Sequence, residues 1–359
     1  MFENEITRLL SIDYPIIQAP MAGGITTSKL VAAVSNNGAL GMIGAGYMSP
    51  IQLREQIREI KQLTTNNFGV NIFVPSKFKI LENEVKMVNS LLNTYREELN
   101  IFEENITLPN MDNALLSYKQ QINVVIEEGV PICSFTFGVP TADVMEKFKQ
   151  HNITTIGTAT TVVEAISIEK LGMDAVVVQG SEAGGHRGNF LSRHEESLIG
   201  LISLIPQVVD TVKIPVIGAG GIMDGQGLVK ALSIGAKAVQ MGTAFLTCEE
   251  SGAHSIHKEA ILCSKDGDTI LTRAFSGKWA RGIKNKYIME MEQYKDVIPN
   301  FPIQNSLTQT IRKASANQNN QDYMSLWAGQ NAKLARVETV AQLIQRVMDE
   351  GRIVTDNLV

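Results

Sequence analysis

The chain has 359 residues, of which 44% are hydrophobic and 19% are charged, a balance ordinary for a globular enzyme with a large core. Its formal net charge of −5 argues against nucleic acid as the main partner. The apolar runs are too short to span a membrane, the three cysteines are too scattered for a disulfide framework, and no signal peptide is expected before Ser11. We therefore expect a cytoplasmic protein that does not associate with membranes.

The first part of the chain alternates short apolar strands with glycine loops and helices. Strands are predicted at residues 14–18, 39–43 and 68–74, and the first runs into a Pro/Gly loop. Ser49 and Pro50 are typical of a helix start, with Gln52 at the third helical position. Strand, loop and helix in repetition indicate parallel βα units.

Two helices then follow where a βα unit needs one. Apolar residues step by three and four from Leu81 to Leu99, and a second such pattern runs from Leu115 to Ile126. We therefore expect part of residues 76–117 to be a helical insertion after the third strand.

The strand and helix alternation resumes after Gly129. Further strands are predicted at residues 131–137, 153–156, 174–179, 214–217 and 238–241. Among the helices between them, one opens with a capping box at Thr161 and Glu164, and another spans residues 197–209. Eight strands alternating with helices predict an α/β fold, a TIM (β/α)8 barrel.

The eighth helix of this barrel is expected near the end of the chain. Thr339 and Gln342 form a cap, an apolar face follows, and Gly351 is predicted to end the helix. Residues 1–246 plus 338–359 would then form the barrel, and residues 247–337 a second insertion, after the eighth strand, over the barrel mouth. A separate C-terminal helical domain is the competing interpretation.

Two neighbouring loops carry the residues that phosphate binding requires. TIM barrels often hold a phosphate in the loops after strands seven and eight. Here those loops are residues 218–221, Gly-Ala-Gly-Gly, and residues 240–243, Gln-Met-Gly-Thr. Small residues let backbone N–H groups reach phosphate oxygens, and Thr243 adds a hydroxyl. The alternative is that these glycines only make tight turns.

A histidine lies in a glycine-rich loop directly after the sixth strand. Residues 174–188 read Asp-Ala-Val-Val-Val-Gln-Gly-Ser-Glu-Ala-Gly-Gly-His-Arg-Gly. An imidazole held at the end of a strand suggests that His186 is a catalytic base. The other interpretation is an exposed histidine on a flexible loop.

Other motifs are weaker. Gly41-x-x-Gly44-x-Gly46 has the wrong order for a Rossmann dinucleotide site. His254 and His257 have a spacing that could serve a metal but lack a third ligand, so we predict no metal.

The sequence does not decide the roles of three charged residues near these loops. Lys278 and Arg281 flank Trp279 and suit either anion recognition or a solvated basic turn. Glu182 suits an acid or base, or an exposed loop carboxylate.

Sequence blocks along nearly the whole chain resemble one family. They are residues 15–24 (PIIQAPMAGG), 178–188 (VQGSEAGGHRG), 217–225 (IGAGGIMDG), 239–246 (VQMGTAFL), 276–282 (SGKWARG) and 326–330 (LWAGQ). The sequence resembles the bacterial nitronate monooxygenases, formerly called 2-nitropropane dioxygenases, which are FMN enzymes on a TIM barrel. The first four blocks are shared with FMN-dependent enoyl-ACP reductases and NADH:quinone reductases. The last two, and Gln179, resemble the monooxygenase branch.

The resemblance implies an FMN cofactor and names residues for it. Residues expected to contact FMN are Ala19, Pro20, Met21, Ala22, Asn71, Gln179, Gly184, Gly220, Gly221, Gln240, Met241, Gly242 and Thr243. The implied activity is oxidation of alkyl nitronates, and of nitroalkanes, by O2 to a carbonyl compound and nitrite, with His186 as catalytic base. The implied partners are small molecules, and a homodimer is compatible with the family. The alternatives are an FMN-dependent NAD(P)H reductase of quinones or enoyl-ACP, and a flavin-free barrel that binds another phosphate.

Overall fold

The strands of the chain build one large and one small sheet. The computed structural model describes residues 2–102 and 106–357. Its strands are β1 (Ile16–Gln18), β2 (Gly41–Gly44), β3 (Phe68–Phe73), β4 (Ile132–Thr136), β5 (Thr154–Ala159), β6 (Ala175–Gln179), β7 (Gly185–His186), β8 (Val216–Ala219), β9 (Ala238–Met241), β10 (Thr269–Thr272) and β11 (Ala280–Ile283).

Eight of these described strands are parallel and form a barrel. They pair in the order β1-β9-β8-β6-β5-β4-β3-β2. The two end strands close on each other, because Gln18 N donates to Leu40 O (2.9 Å) and Leu40 N donates to Ile16 O (3.0 Å). The predicted TIM barrel is confirmed.

Helices cover the outside of the barrel and build the two insertions. They are α1 (Glu5–Leu10), α2 (Ser28–Asn36), α3 (Pro50–Leu63), α4 (Glu82–Glu98), α5 (Met111–Glu127), α6 (Ala142–Gln150), α7 (Val162–Lys170), α8 (Leu201–Val209), α9 (Gly225–Ser233), α10 (Thr243–Leu246), α11 (Ser255–Leu262), α12 (Lys286–Met291), α13 (Ile303–Leu307), α14 (Gln309–Asn317) and α15 (Val340–Asp356). Among the described residues, no helix combines the length and apolar composition that crossing a membrane would need.

The first helix closes the amino-terminal end of the barrel. Ile6 and Leu10 of α1 are fully buried against the inward-facing apolar side chains of the strands. Asn4 fixes the helix there, since its Nδ2 donates to Lys237 O (2.7 Å) just before β9. Helix α1 therefore covers this end of the barrel, opposite the carboxyl ends of the strands.

Two of the predicted helix caps are confirmed, and each forms a full capping box. Gln52 N donates to Ser49 Oγ (3.2 Å), and Ser49 N donates to Gln52 Oε1 (2.9 Å), at the start of α3. Thr339 and Gln342 exchange the same pair of bonds at the start of α15.

The predicted capping box at Thr161 and Glu164 is only half formed, because the Glu164 carboxylate binds other backbone groups. Thr161 caps α7, but the fully buried carboxylate of Glu164 does not return to the Thr161 backbone. It accepts from Thr160 N (2.7 Å), Phe190 N (2.6 Å) and Leu191 N (2.9 Å). Glu164 thus ties the loop after β7 to the barrel wall.

Two helix boundaries differ from the prediction. The sixth barrel helix begins at Leu201 rather than residue 197, because the carboxylate of Glu182 accepts from Leu201 N and fixes the start there. Helix α15 continues through Gly351, which was predicted to end it. A Cβ on Gly225 would lie 2.3 Å from Gly351 N, so these glycines allow α9 and α15 to touch.

The first insertion packs on the second one. Helix α5 packs against α3 and β3 and serves as the third barrel helix. Helix α4 instead buries Val88, Leu92 and Tyr95 against Tyr287 and Leu307 of the second insertion. The extra helix predicted after strand three is therefore α4. Residues 103–105 of the predicted insertion, and residues 1 and 358–359 of the predicted barrel, lie outside the described residues.

The second insertion is joined to the barrel by the small sheet. Strand β11 pairs antiparallel with β10 and with β7, and Ala280 lies opposite His186. Helix α15 then returns to the barrel and packs on α9 and α2. We propose that residues 247–337 are one cap inserted between β9 and α15, rather than a separate C-terminal domain.

Candidate active site

A deep cavity opens at the carboxyl ends of the barrel strands. This mouth cavity has about 1290 Å³ of unfilled space, including its opening. Met241 lies outside its lining, since the side chain is buried in the core and its carbonyl accepts from Ala19 N (2.8 Å). The remaining residues predicted to bind the cofactor all line it: Ala19, Pro20, Met21, Ala22, Asn71, Gln179, Gly184, Gly220, Gly221, Gln240, Gly242 and Thr243.

His186 also lines the mouth cavity, on the side facing the second insertion. It belongs to β7 and is half-buried, so a flexible loop with an exposed histidine does not describe the structure. Its Nε2 is 2.8 Å from Ser276 Oγ, and that hydroxyl also donates to Lys278 O at 3.0 Å. Because the serine proton is used there, we assign the ring proton to Nε2. No described group bonds to Nδ1, so its lone pair is available to a ligand in the cavity that His186 lines.

Aromatic rings enclose the imidazole. The ring centroids of Phe137, Phe301 and Trp327 lie 5.9, 6.2 and 5.5 Å from that of His186. These apolar walls shield the ring from water on three sides, which favours its neutral form.

The charge state of His186 follows from these surroundings. Burial, together with the positive charges of Lys278 and Arg312, lowers the pKa of His186 to about 3. Burial also lowers the pKa of Lys278 to about 8, so this amine is mostly protonated at neutral pH. The ligand-free site therefore presents a neutral imidazole near a cation.

Two side chains hold the loop that carries His186. Arg187 is completely buried and donates to Gly180 O (2.6 Å), Gln179 O (3.0 Å) and Ser197 O (2.7 Å). The Gln179 amide donates from Nε2 to His186 O (3.0 Å) and accepts from Gly188 N (2.8 Å). Burial lowers the pKa of Arg187 to about 10, yet it stays protonated and anchors carbonyls at the end of β6.

Glycines shape the opposite end of the mouth cavity. Gly220 and Gly221 have φ of +136° and +67°, which other residues rarely adopt. A Cβ on Gly184 would lie 2.5 Å from Gly329 N, so only glycine lets these two backbones meet. The Thr243 hydroxyl accepts from Gly329 N (2.9 Å). Its own proton has no acceptor among the described residues. A phosphate oxygen is an acceptor that fits this end.

Sequence reasoning missed the polar wall beside Asn71. The Asn71 side chain donates from Nδ2 to Ser134 Oγ (2.8 Å) and Thr136 Oγ1 (3.0 Å), and Thr158 adjoins Thr136. All of these residues line the mouth cavity. The sequence does contain a signal for this wall, because Ser134 and Thr136 place hydroxyl groups at alternate positions of the otherwise apolar β4.

Glu182 and Arg281, whose roles the sequence left undecided, both bond to backbone groups that hold the fold together. The Glu182 carboxylate accepts from Leu201 N (2.9 Å) and caps α8. Arg281 is buried and donates from Nε to Ser181 O (3.1 Å), joining β11 to the loop after β6. Neither side chain lines the mouth cavity.

The two histidines considered for metal have other partners. His254 precedes α11 and accepts from Ile256 N through Nδ1 (3.2 Å). His257 is buried, and its Nε2 lies 3.0 Å from Trp327 O. Among the described residues, no cluster of histidine, cysteine or acidic side chains could hold a metal ion.

Fold and site together define an α/β barrel protein with a ligand cavity at the carboxyl ends of its strands and one neutral imidazole beside it. A family model described as nitronate monooxygenase matches residues 3–350. Probable nitronate monooxygenases of Staphylococcus aureus strains MSSA476 and JH9 are 48% and 49% identical over 97% of each chain. The chain belongs to the nitronate monooxygenase family and is an enzyme.

Two solved structures are similar to this chain over almost its whole length. The nitroalkane oxidase from Streptomyces ansochromogenes matches with a TM-score of 0.90 and 36% identity, covering 99% of both chains. FabK from Thermotoga maritima matches with a TM-score of 0.79 and 29% identity, covering 100% of this chain and 99% of its own.

Proposed function

We propose that the protein oxidises alkyl nitronates and nitroalkanes with O2, in an FMN-dependent reaction that gives a carbonyl compound and nitrite. The observation that carries this proposal is His186 in the lining of the mouth cavity, with its Nε2 bonded to Ser276 and no bond to Nδ1 among the described residues. The family and the nitroalkane oxidase among the similar structures support the substrate class.

The residues around the mouth cavity suit FMN. Gly220 and Gly221 line the cavity in backbone conformations that other residues rarely adopt, Gly184 lets Gly329 approach, and the Thr243 hydroxyl has a proton to donate. Asn71 and the hydroxyls of the polar wall would face the isoalloxazine ring at the other end. When bound, FMN would supply the electron transfer and oxygen chemistry that side chains lack.

His186 would remove the α-proton of a neutral nitroalkane. Nδ1 has the lone pair for this step, and the Nε2 bond to Ser276 keeps the ring oriented. The resulting nitronate anion would stabilise the imidazolium beside it, since an opposite charge raises the pKa of a base. A substrate that arrives as a nitronate needs no base, and His186 would then orient it.

Lys278 would favour the anionic form of the substrate. Its Nζ donates to Asn189 O (3.0 Å) and lies 4.8 Å from the centroid of the Phe137 ring. The Phe137 ring also contacts His186, and the charge of Lys278 acts on the imidazole although Lys278 does not line the mouth cavity. Its field lowers the energy of that anion.

The likeness to FabK supports a second candidate, an FMN-dependent NAD(P)H reductase of quinones or enoyl-ACP. The purified protein is tested first for flavin absorbance, then for nitrite release from a nitronate under O2, and for NAD(P)H oxidation with a quinone or an enoyl thioester. We expect a flavoprotein that releases nitrite. NAD(P)H oxidation without nitrite would establish the reductase, and protein that binds no FMN would contradict both candidates.

A further inference from the structure

A short segment of the second insertion crosses the phosphate end of the mouth cavity. This strap, residues 326–331, runs beside β11 through two backbone bonds, from Ile283 N to Leu326 O (2.8 Å) and from Ala328 N to Arg281 O (3.3 Å). The buried His257 adds a third bond to the strap, at Trp327 O. The strap is therefore held on its outer side by the insertion itself.

On its inner side the strap bonds to each of three barrel loops. Gln330 N donates to Glu182 O (3.0 Å) in the loop after β6. Asn331 Nδ2 donates to Gly221 O (2.6 Å) in the loop after β8. The bond from Gly329 N to Thr243 Oγ1 reaches the loop after β9. One segment thus fixes the relative positions of all the loops that surround the proposed phosphate position.

The bond from Gly329 decides how Thr243 can act. A hydroxyl has one proton to donate and two acceptor lone pairs, and Gly329 N–H occupies one of the lone pairs. Thr243 is nearly buried and lines the mouth cavity, so its remaining proton can only serve an acceptor that enters the cavity. An anion meets this requirement.

Asn331 has one amide hydrogen left after its bond to Gly221. Asn331 lines the mouth cavity beside Gly221. A Cβ added to Gly221 would lie 3.4 Å from Asn331 Nδ2. An amide has no charge, so it can donate to a phosphate without a large cost when the phosphate is absent.

We propose that the strap is part of the cofactor site: Asn331 donates its second Nδ2 hydrogen to the phosphate of FMN, and Gly329 holds the Thr243 hydroxyl as a donor to the same phosphate. This inference rests on the proposed FMN cofactor. It assigns to the second insertion a role in binding the cofactor, besides its contact with His186.

The test compares FMN with riboflavin, which has the same ring system but no phosphate. Dissociation constants of both flavins are measured by fluorescence quenching for the apoprotein and for Asn331→Ala and Asn331→Asp. We expect Asn331→Ala to weaken FMN roughly 10-fold and Asn331→Asp roughly 100-fold, because the new carboxylate repels the phosphate. Riboflavin binding should stay within about 2-fold of the parent protein.

Asn317→Ala is the matched control, since Asn317 is exposed on α14 of the same insertion, away from the mouth cavity. Its affinity for both flavins should equal that of the parent, and thermal melting checks that all variants are folded. Equal weakening of FMN and riboflavin, or no weakening, would overturn the role of the strap while leaving the FMN enzyme intact. Failure of the parent protein to bind either flavin would instead overturn the proposed cofactor, and with it this inference.

Discussion

His186 is a weak base because its pKa is lowered, and its bond to Ser276 fixes the orientation of the ring. Ser276 fixes the proton on Nε2, and the rings of Phe137, Phe301 and Trp327 keep water from the imidazole. The ring would gain a proton only when an anion forms beside it. The proposed chemistry therefore couples protonation of His186 to formation of the nitronate.

Replacing His186 by asparagine should separate the two substrate classes. We expect His186→Asn to lower kcat/KM for neutral nitroalkanes by roughly 100- to 10,000-fold, the usual contribution of a general base, and that for nitronates by less than about 10-fold. Nitrite release is measured with both substrates, and flavin content is checked by absorbance. His151→Asn, at an exposed position after α6, should match the parent. Equal losses on both substrates would refute the role as base.

The depressed pKa of His186 has a consequence for the pH profile. Because the free protein keeps this ring neutral down to a pKa of about 3, protonation of His186 should not reduce kcat/KM for a nitroalkane as the pH falls from 8 to 5. Initial rates of nitrite release across this range provide the measurement. An acid limb near pH 6.5 that disappears in His186→Asn would show that the ring titrates like a solvated histidine.

At the scale of elements, the barrel depends on the contact between α9 and α15. Helix α15 is separated from β9 in sequence by the whole second insertion, so tertiary packing has to bring it back. The contact is close because Gly225 and Gly351 bring the two backbones together. Gly351 was predicted to end α15, but it lies within the helix and allows α9 to pack closely on it.

This crossing can be tested with two alanine substitutions in one helix. A Cβ at Gly225 would lie 2.3 Å from Gly351 N and 2.5 Å from Val347 O, both rigid backbone atoms. We expect Gly225→Ala to lower the free energy of unfolding by about 2–3 kcal/mol. At Gly227 the nearest atom is a side-chain methyl of Ile222 at 3.2 Å, so Gly227→Ala should change stability by at most about 1 kcal/mol. Urea unfolding gives both values, and equal effects would contradict the packing argument.

At the scale of the whole molecule, buried histidines link folding to pH. Burial lowers the pKa of His257 to about 4, from the value near 6.5 of an unfolded chain. On acidification the unfolded chain therefore binds a proton first, and stability falls as the pH drops from 6.5 towards 4.

Removing His257 should flatten part of this dependence. For a ring that is 5% exposed, the depressed pKa corresponds to about 2–3 kcal/mol of stability lost by pH 4. We expect His257→Gln to lose less stability than the parent between pH 7 and pH 4.5, measured by urea midpoints at each pH. An identical loss in both proteins would show that His257 is not a source of the acid sensitivity.

Local sequence signals predicted most of the fold. Eight short apolar strands with glycine loops define a barrel because each βα unit carries its own periodicity and turn residues. The caps at Ser49 and Thr339 were equally local. The start of α8 was not, because the carboxylate that fixes Leu201 comes from Glu182 in an earlier loop.

The sequence by itself determined the barrel, its two insertions and most of the predicted cofactor residues that line its mouth, since strand order places every β-to-α loop at one end. Only the tertiary structure decided which of these residues act together. The partners of His186, the backbone bonds accepted by Glu164 and Glu182, and the strap bonds of Gly329 and Asn331 join residues far apart in the chain. Such contacts depend on where whole elements pack, and no local pattern encodes them.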